Sequence, residues 1–183
     1  MVVEKMNGLK GKSIRSNSKV ARQHGASLLE GIAYLGIAAI VVMGAISLLT
    51  GAFGSAKSNQ ANEEVIGLRT AVRKLYMGQT YPTTGIPALL QTAKAAPGTL
   101  AADGTTLKNS WGGTVDIVGA GTGFTITYPS VPKDVCVSML SGANGWTSIK
   151  GNANAAVTTF PVTAANATTQ CSADDNSIVY TSS

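Results

Sequence analysis

Histidine is almost absent from this sequence, and its scarcity limits the chemistry that the chain can perform. The single histidine among the 183 residues is His24, which lies in a basic N-terminal segment. A Ser-His-Asp triad needs an imidazole as its general base, and zinc sites commonly need one as a ligand. We therefore expect no catalytic residue, no metal site and no cofactor, and we predict that the protein is not an enzyme.

Charge is missing from one long stretch near the N-terminus. Residues 32–53 carry no charged side chain, and Glu30 is the only charged residue between positions 26 and 56. At about 1.5 Å per residue, a helix of this length crosses the ~30 Å hydrocarbon core of a bilayer. A carboxylate costs roughly 2.5–3.5 kcal/mol at the bilayer centre and less near the interface. An acid at the start of such a helix is therefore a candidate functional residue.

The formal net charge of +5 comes entirely from the first 25 residues. That segment holds six basic side chains against Glu4, whereas the rest of the chain holds eight basic and eight acidic residues. This distribution argues against a nucleic-acid-binding domain, and we predict no nucleic-acid partner. A basic segment before an apolar helix instead follows the positive-inside rule, which places the N-terminus in the cytoplasm and the residues after position 53 beyond the membrane.

Cysteine is also scarce, because the chain contains only Cys136 and Cys171. Both fall in the part predicted to lie outside the cytoplasm, where oxidation is permitted. A disulfide would close a loop of about 36 residues and stabilise the fold by about 3–4 kcal/mol on the chain-entropy account. Two unpaired buried thiols are the alternative, but a small domain with a modest core favours the disulfide. Neither cysteine has a nearby Cys or His that would complete a metal site.

A second helical pattern follows the uncharged stretch. Apolar residues recur there at steps of four, three, four and three, at Ala61, Val65, Leu68, Val72 and Leu75. This spacing predicts one apolar face on an otherwise polar helix. We therefore expect a continuous helix from about residue 26 to residue 77. Gly78 supplies its C-terminal stop, and Pro82 prevents its continuation.

The middle of the chain changes from turn-forming to strand-forming residues. Residues 79–110 are rich in Pro and Gly and predict a loop with one short helix around residues 88–95. Residues 114–118 and 124–128 are β-branched and aromatic. The glycine-rich segment 119–123 between them predicts a β-hairpin.

The last third of the sequence predicts a mixture of short elements. A helix that carries Cys136 is expected to begin with Ser130 as its N-cap, followed by Pro in its first turn. Residues 164–171 are compatible with either a helix or a loop, and Asp174 and Asp175 are expected in a solvated turn. Further strands are predicted over residues 146–149, 157–162 and 178–181.

The N-terminal order of features resembles that of a type IV prepilin. A basic leader ends at Gly25, and the apolar segment that follows has Glu30 at its fifth position. A leader of 25 residues and a first mature residue, Ala26, that is not Phe resemble the type IVb branch. Gly36 and Gly44 are similar to glycines that recur in N-terminal segments of that branch.

The resemblance implies an α+β fold. A long N-terminal helix, apolar in its first half and amphipathic in its second, would pack on a small antiparallel β-sheet domain with a C-terminal disulfide between Cys136 and Cys171. The implied segments are a cleaved basic leader over 1–25, a transmembrane and polymerisation helix over 26–53, and a periplasmic or extracellular globular domain over 54–183. The globular domain would comprise an amphipathic helix over 54–78, an αβ-loop over 79–110, and the sheet with the disulfide-closed region over 111–183.

The resemblance also implies how the N-terminus is processed and used. A prepilin peptidase would cut between Gly25 and Ala26, where glycine offers no side-chain obstruction. The freed amine of Ala26 would be largely protonated at neutral pH, and Glu30 would pair with that amine on a neighbouring subunit. In the family this amine is often methylated. The alternative for Glu30 is an acid favoured by the positive end of the helix dipole, worth about 0.3–1 kcal/mol.

The function implied is that of a structural subunit of a type IVb pilus. The precursor would lie in the inner membrane and would then polymerise, with the pilus assembly machinery, into an extracellular homopolymer for adhesion, aggregation or conjugative mating. Three other classes stay open at this point: a minor pilin, a type II secretion pseudopilin and a bitopic membrane-anchored binding protein. An anchored enzyme would need a catalytic group that the sequence does not offer.

Overall fold

The computed structural model describes residues 28–183, apart from the side chain of Thr50. The chain divides into two compact units, Met1–Met43 and Gly44–Ser183. Helix α1, Leu28–Leu75, begins in the first unit and ends in the second. The predicted leader, residues 1–25, lies outside the described residues.

The second half of α1 forms one wall of the core. Val65, Leu68 and Val72 are at most 1% exposed, as the apolar spacing predicts. The stripe ends one residue later than expected, because Tyr76 is buried whereas Leu75 is only partly buried. Gly78 follows with a φ of 75°, a left-handed conformation that glycine adopts without steric cost.

The opposite wall is a six-stranded sheet in which every pairing is antiparallel. Its strands are β1 (Ala101–Ala102), β2 (Leu107–Lys108), β3 (Thr114–Ala120), β4 (Gly123–Pro132), β5 (Ser148–Gly151) and β6 (Asp175–Ser182). They are arranged in the order β1-β2-β3-β4-β6-β5. The long helix packed on an antiparallel sheet confirms the predicted fold class.

The predicted hairpin is formed by β3 and β4, and its turn is tighter than expected. Both strands extend into the glycine-rich segment and leave Gly121, with a φ of 72°, near its tip. Gly119 has a separate role, since a Cβ at this position would collide with the backbone of Tyr81 and Pro82. The Gly119 N–H donates to the Pro82 carbonyl at 2.9 Å, so the chain after α1 lies directly against this strand.

Three short helices complete the domain, α2 (Ile86–Thr92), α3 (Lys133–Gly142) and α4 (Ala164–Gln170). Helix α2 begins earlier than predicted because Pro87 occupies its first turn, where proline is tolerated. The predicted N-cap of α3 is wrong: Ser130 lies in β4 with a φ of 59°, and Pro132 precedes the helix without a side-chain cap. Residues 164–171 were compatible with a helix or a loop, and the structure shows helix α4 there. The Thr163 side chain accepts a hydrogen bond from the Asn166 N–H at 3.3 Å at its start.

Two strand predictions need correction. Residues 157–162 form no strand, because only Val157 bridges to Ile149 and Pro161 lacks the N–H that a ladder requires. Strand β5 lies two residues later than predicted, since Trp146 packs its ring on Tyr180 at 4.8 Å between centroids. Strands β1 and β2, two residues each, are too short to leave a pattern in the segment predicted as a loop.

The disulfide joins α3 to the residue that follows α4. Cys136 and Cys171 are bonded with their Cα atoms 5.9 Å apart, and both are fully buried. This confirms the predicted pairing and excludes the alternative of two unpaired thiols. The core that surrounds the bond includes Met139, Leu140 and Val135 on the inner face of α3.

Candidate assembly site

The one acidic residue at the start of α1 is exposed. Glu30 lies in the first turn of the helix, and the Tyr34 hydroxyl donates to its Oε1 at 3.4 Å, near the long limit of a hydrogen bond. The other two residues of the predicted site, Gly25 and Ala26, lie outside the described residues. Glu30 therefore presents a carboxylate that its own described chain satisfies only weakly.

The helix around Glu30 exposes apolar side chains on all sides. These residues are Leu28, Leu29, Ile32, Tyr34, Leu35, Ile37, Ile40, Val41, Val42, Met43, Ile46, Leu48, Leu49 and Phe53. An 18-residue window of α1 has a mean hydropathy of 2.4 and no buried residue, so by length and composition the helix could cross a membrane. Continuous apolar exposure of this kind marks a membrane or protein interaction surface.

A buried acid fixes the amphipathic half of α1 to the sheet. Glu64 is 1% exposed; its Oε1 accepts from Gln60 at 2.8 Å and its Oε2 accepts from the Tyr128 hydroxyl. Burial, and then the bond to Glu64, raise the pKa of Tyr128 well above its usual value. The sequence analysis did not single out Glu64, although it lies on the buried stripe, three residues after Ala61 and four before Leu68.

Two arginines extend from α1 toward the end of β6. The Arg69 Nε donates to the Ser182 Oγ at 3.2 Å, and its guanidinium lies 4.8 Å from the centre of the Trp146 ring. The Arg73 Nη2 donates to the Ser183 carbonyl oxygen. Burial, and then the nearby Arg73 charge, lower the pKa of Arg69. These residues were also not singled out, although no acid stands three or four positions from either one.

A network of amides holds the disulfide-closed region in place. The Gln170 side chain accepts from the Gly151 N–H at 2.7 Å and donates to the Ala155 carbonyl at 2.9 Å. The Asn176 Oδ1 accepts from the Asn152 side chain at 2.9 Å. Because Gln170 and Asn176 are buried, these hydrogen bonds satisfy polar groups that would otherwise be costly. Their role is to connect α4 to β5 and β6.

The described residues contain no group of three or more His, Cys, Asp or Glu side chains that could hold a metal ion. A groove of about 550 Å³ in the second unit is lined by Gln91, Lys94, Pro97 and neighbouring apolar or small residues. Lys94 is the only charged group in its lining. The lining of this groove suits surface contact.

Comparison with known proteins agrees with this architecture. The PilS N-terminal family matches residues 55–183. The chain is 28% identical over 180 residues to the major structural subunit of bundle-forming pilus of Escherichia coli O127:H6 (strain E2348/69), covering 86% of this chain and 93% of that one. The corresponding subunit of Escherichia coli O111:H- matches equally well. The crystal structure of a type IVb pilin from Salmonella typhi is 32% identical, with a TM-score of 0.55, and the match covers 66% of this chain and 94% of that one.

Proposed function

This chain belongs to the PilS family of type IVb pilins and is a structural subunit of a pilus, and from this we propose how it reaches and builds the filament. It is made as an inner-membrane precursor and is cut between Gly25 and Ala26 by a prepilin peptidase. The assembly machinery of the inner membrane then transfers it into an extracellular homopolymer in which it is the major subunit. The chain matches the curated relatives over most of their length, and their names support the proposal that it is a major subunit.

The observation that carries this proposal is the apolar, exposed first half of α1. Water is an unfavourable environment for such a surface, since burying one Leu, Ile or Phe side chain gains about 1.5–3 kcal/mol. Lipid tails are as apolar as Leu, so the hydrophobic effect alone does not move the helix from the bilayer into a filament. Transfer therefore depends on helix packing and on polar contacts that the bilayer cannot supply.

Glu30 is the residue that we propose provides such a contact. In the filament its carboxylate pairs with the protonated amine of Ala26 on a neighbouring subunit. A charge pair in an apolar environment contributes specificity of position more reliably than stability, so it sets the register between neighbouring helices. The weak contact with Tyr34 leaves the carboxylate available for this partner.

The experiment that tests the proposal is intact mass measurement with N-terminal sequencing of filaments sheared from the surface of cells that make the chain. We expect abundant filament protein that begins at Ala26 and has the mass of a mature chain lacking two hydrogens for the disulfide. An additional methyl group on Ala26 would show modification of the amine. Material that begins at Met1 and is found only in membranes would contradict the proposal and would indicate a bitopic anchor.

A further inference from the structure

The exposed side of the amphipathic half of α1 carries three cations that form no ion pair with an Asp or Glu side chain of the described residues. Arg69, Arg73 and Lys74, here called the basic face, border a groove of about 420 Å³ together with Thr70 and two exposed apolar residues, Ile66 and Met77. These three cations are instead neighbours on the surface of the helix. Arg69 and Arg73 stand at i,i+4, a spacing at which like charges repel.

The two guanidinium groups of the basic face are held in place by contacts with Trp146 and the end of β6. Arg69 contacts the Trp146 ring and the Ser182 hydroxyl, and Arg73 contacts the backbone oxygen of Ser183. The contacts of Arg69 restrict its side chain without neutralising its charge. Since guanidinium is a planar donor suited to carboxylates, an external acidic group can bind here at little entropic cost.

An unpaired acidic group lies at the other end of the same strand. Asp174 and Asp175, here called the acidic pair, are exposed at the start of β6 and form no ion pair within residues 28–183. Lys133 follows the residue that pairs with Asp175, but Asp134 beside it offsets its charge. This end of the sheet is therefore acidic.

The basic face and the acidic pair lie in one compact unit, at opposite ends of β6. The strand runs from Asp175 to Ser182, so its ends are about 23 Å apart at 3.3 Å per residue. A surface whose complementary patches lie at different places makes heterologous, head-to-tail contacts, and repetition of such a contact builds a helical filament. Each copy of this chain carries both halves of such a contact.

We propose that, in the pilus, the acidic pair of one copy docks on the basic face of the next copy. This inference rests on the proposed function, because it assigns a contact between globular domains to the homopolymer. The ion pairs orient the domains and select the partner, while Ile66 and Met77 supply apolar area beside them. The contact acts in addition to the packing of the apolar helices.

The test uses two charge-reversed full-length chains, R73E/K74E and D174K/D175K, expressed separately and together. Arg69 is left intact because it packs on Trp146. Each reversed chain alone places like charges across the contact, so we expect the yield of sheared filaments to fall at least about tenfold. Coexpression should restore filaments that contain both chains. The reversed basic face of R73E/K74E then meets the lysines of D174K/D175K, and the acidic pair of the first chain meets the intact basic face of the second.

The matched control is K94E/K108E, which reverses two exposed cations away from β6 and should assemble at the wild-type yield. Urea titration of each detergent-solubilised chain establishes that each variant folds. Wild-type yields from R73E/K74E, or two chains that stay unassembled when coexpressed, would overturn the inference while leaving the proposed function intact. Wild-type yields combined with weaker binding to phosphatidylglycerol vesicles would instead assign the basic face to an anionic surface. Failure of the wild-type chain to form filaments would contradict the proposed function itself.

Discussion

The two halves of α1 use apolar residues in opposite ways. In the first unit, Leu28 is 84% and Ile40 73% exposed, and the described chain offers them nothing to pack against. In the second unit, Leu68 and Val72 are fully buried beneath the sheet. One half therefore completes its own domain, whereas the other must be completed by lipid or by other subunits. A subunit of a polymer needs both, because its domain must be stable before the assembly contacts exist.

The two halves of α1 also differ in the environment of their glutamate side chains. Glu64 is buried with Gln60 and Tyr128 as partners inside the domain. Glu30 is exposed, and among residues 28–183 its side chain has only the long contact with Tyr34. The same side chain therefore anchors the helix within the chain in one half, and in the other it is available to a neighbouring molecule.

The largest expected effect comes from removing the charge of Glu30. If Glu30 pairs with the Ala26 amine of a neighbour as proposed, Glu30→Gln keeps the size of the side chain but leaves that amine without a counter-charge in an apolar environment. Since breaking a buried ion pair costs about 3–5 kcal/mol, we expect sheared filaments to fall at least about tenfold. Quantitative immunoblotting of sheared and membrane fractions measures this, and processing at Gly25 should continue.

The matched control for this prediction is Glu63→Gln, which removes an exposed acid from the amphipathic half of the same helix. Its filament yield should equal that of the wild type, because the exposed Glu63 side chain forms no hydrogen bond or ion pair within residues 28–183. Equal yields from both variants would remove the distinction between the two glutamates and would reduce Glu30 to a residue favoured by the helix dipole.

The next largest effect concerns the stability of the second unit alone. Replacing Cys136 and Cys171 together with serine should lower the free energy of unfolding by about 3–4 kcal/mol, because the unfolded chain gains freedom. Urea titration of the detergent-solubilised chain measures this by fluorescence, since both tryptophans, Trp111 and Trp146, report on this unit. The helical circular dichroism signal of the whole detergent-solubilised chain, measured without urea, should be unchanged. An unfolding midpoint equal to that of the oxidised wild type would contradict the prediction.

A smaller loss of folding stability is expected when the buried acid, Glu64, is replaced. Glu64→Ala leaves the Tyr128 hydroxyl buried without its acceptor, which should cost about 1–3 kcal/mol. Replacing both partners, as in Glu64→Leu with Tyr128→Phe, should cost less than the two single changes combined, because no unpaired polar group is left. A double-mutant cycle by urea titration measures the coupling, and additive losses would show that the two residues do not act together.

Features that depend on local spacing could be predicted from the sequence. The buried stripe of Val65, Leu68 and Val72 follows from the helical period, and the β3–β4 hairpin follows from β-branched residues that flank glycines. The Cys136–Cys171 bond was also predictable, because the chain contains no other cysteine. In each case a single local pattern or count leaves few alternatives.

Features that depend on tertiary contacts could not be predicted in this way. Ser130 has the side chain of an N-cap, but β4 continues through it to pair with β6, and that pairing overrides the local preference. In the sequence, the residues of the basic face are ordinary helix-surface cations. Only the folded structure places Ser182 and Trp146 against Arg69. The separation of the acidic pair from that face likewise follows from the direction of β6.

The smallest expected effect at neutral pH, and the most specific test of the packed half, concerns Tyr180. Its hydroxyl is buried without a hydrogen-bond partner in the described part of the chain, and burial raises its pKa. Tyr180→Phe removes an unsatisfied group, so at pH 7 the free energy of unfolding should change by less than about 1 kcal/mol. The folded chain holds this proton more tightly than the unfolded chain does. The stability that the protonated Tyr180 hydroxyl contributes is therefore fully present below about pH 10. At higher pH the free energy of unfolding falls by about 1.4 kcal/mol per pH unit. Urea titrations from pH 9 to 11 should show a shallower loss for Tyr180→Phe than for the wild type, and identical pH profiles would mean that the hydroxyl ionises within the folded domain.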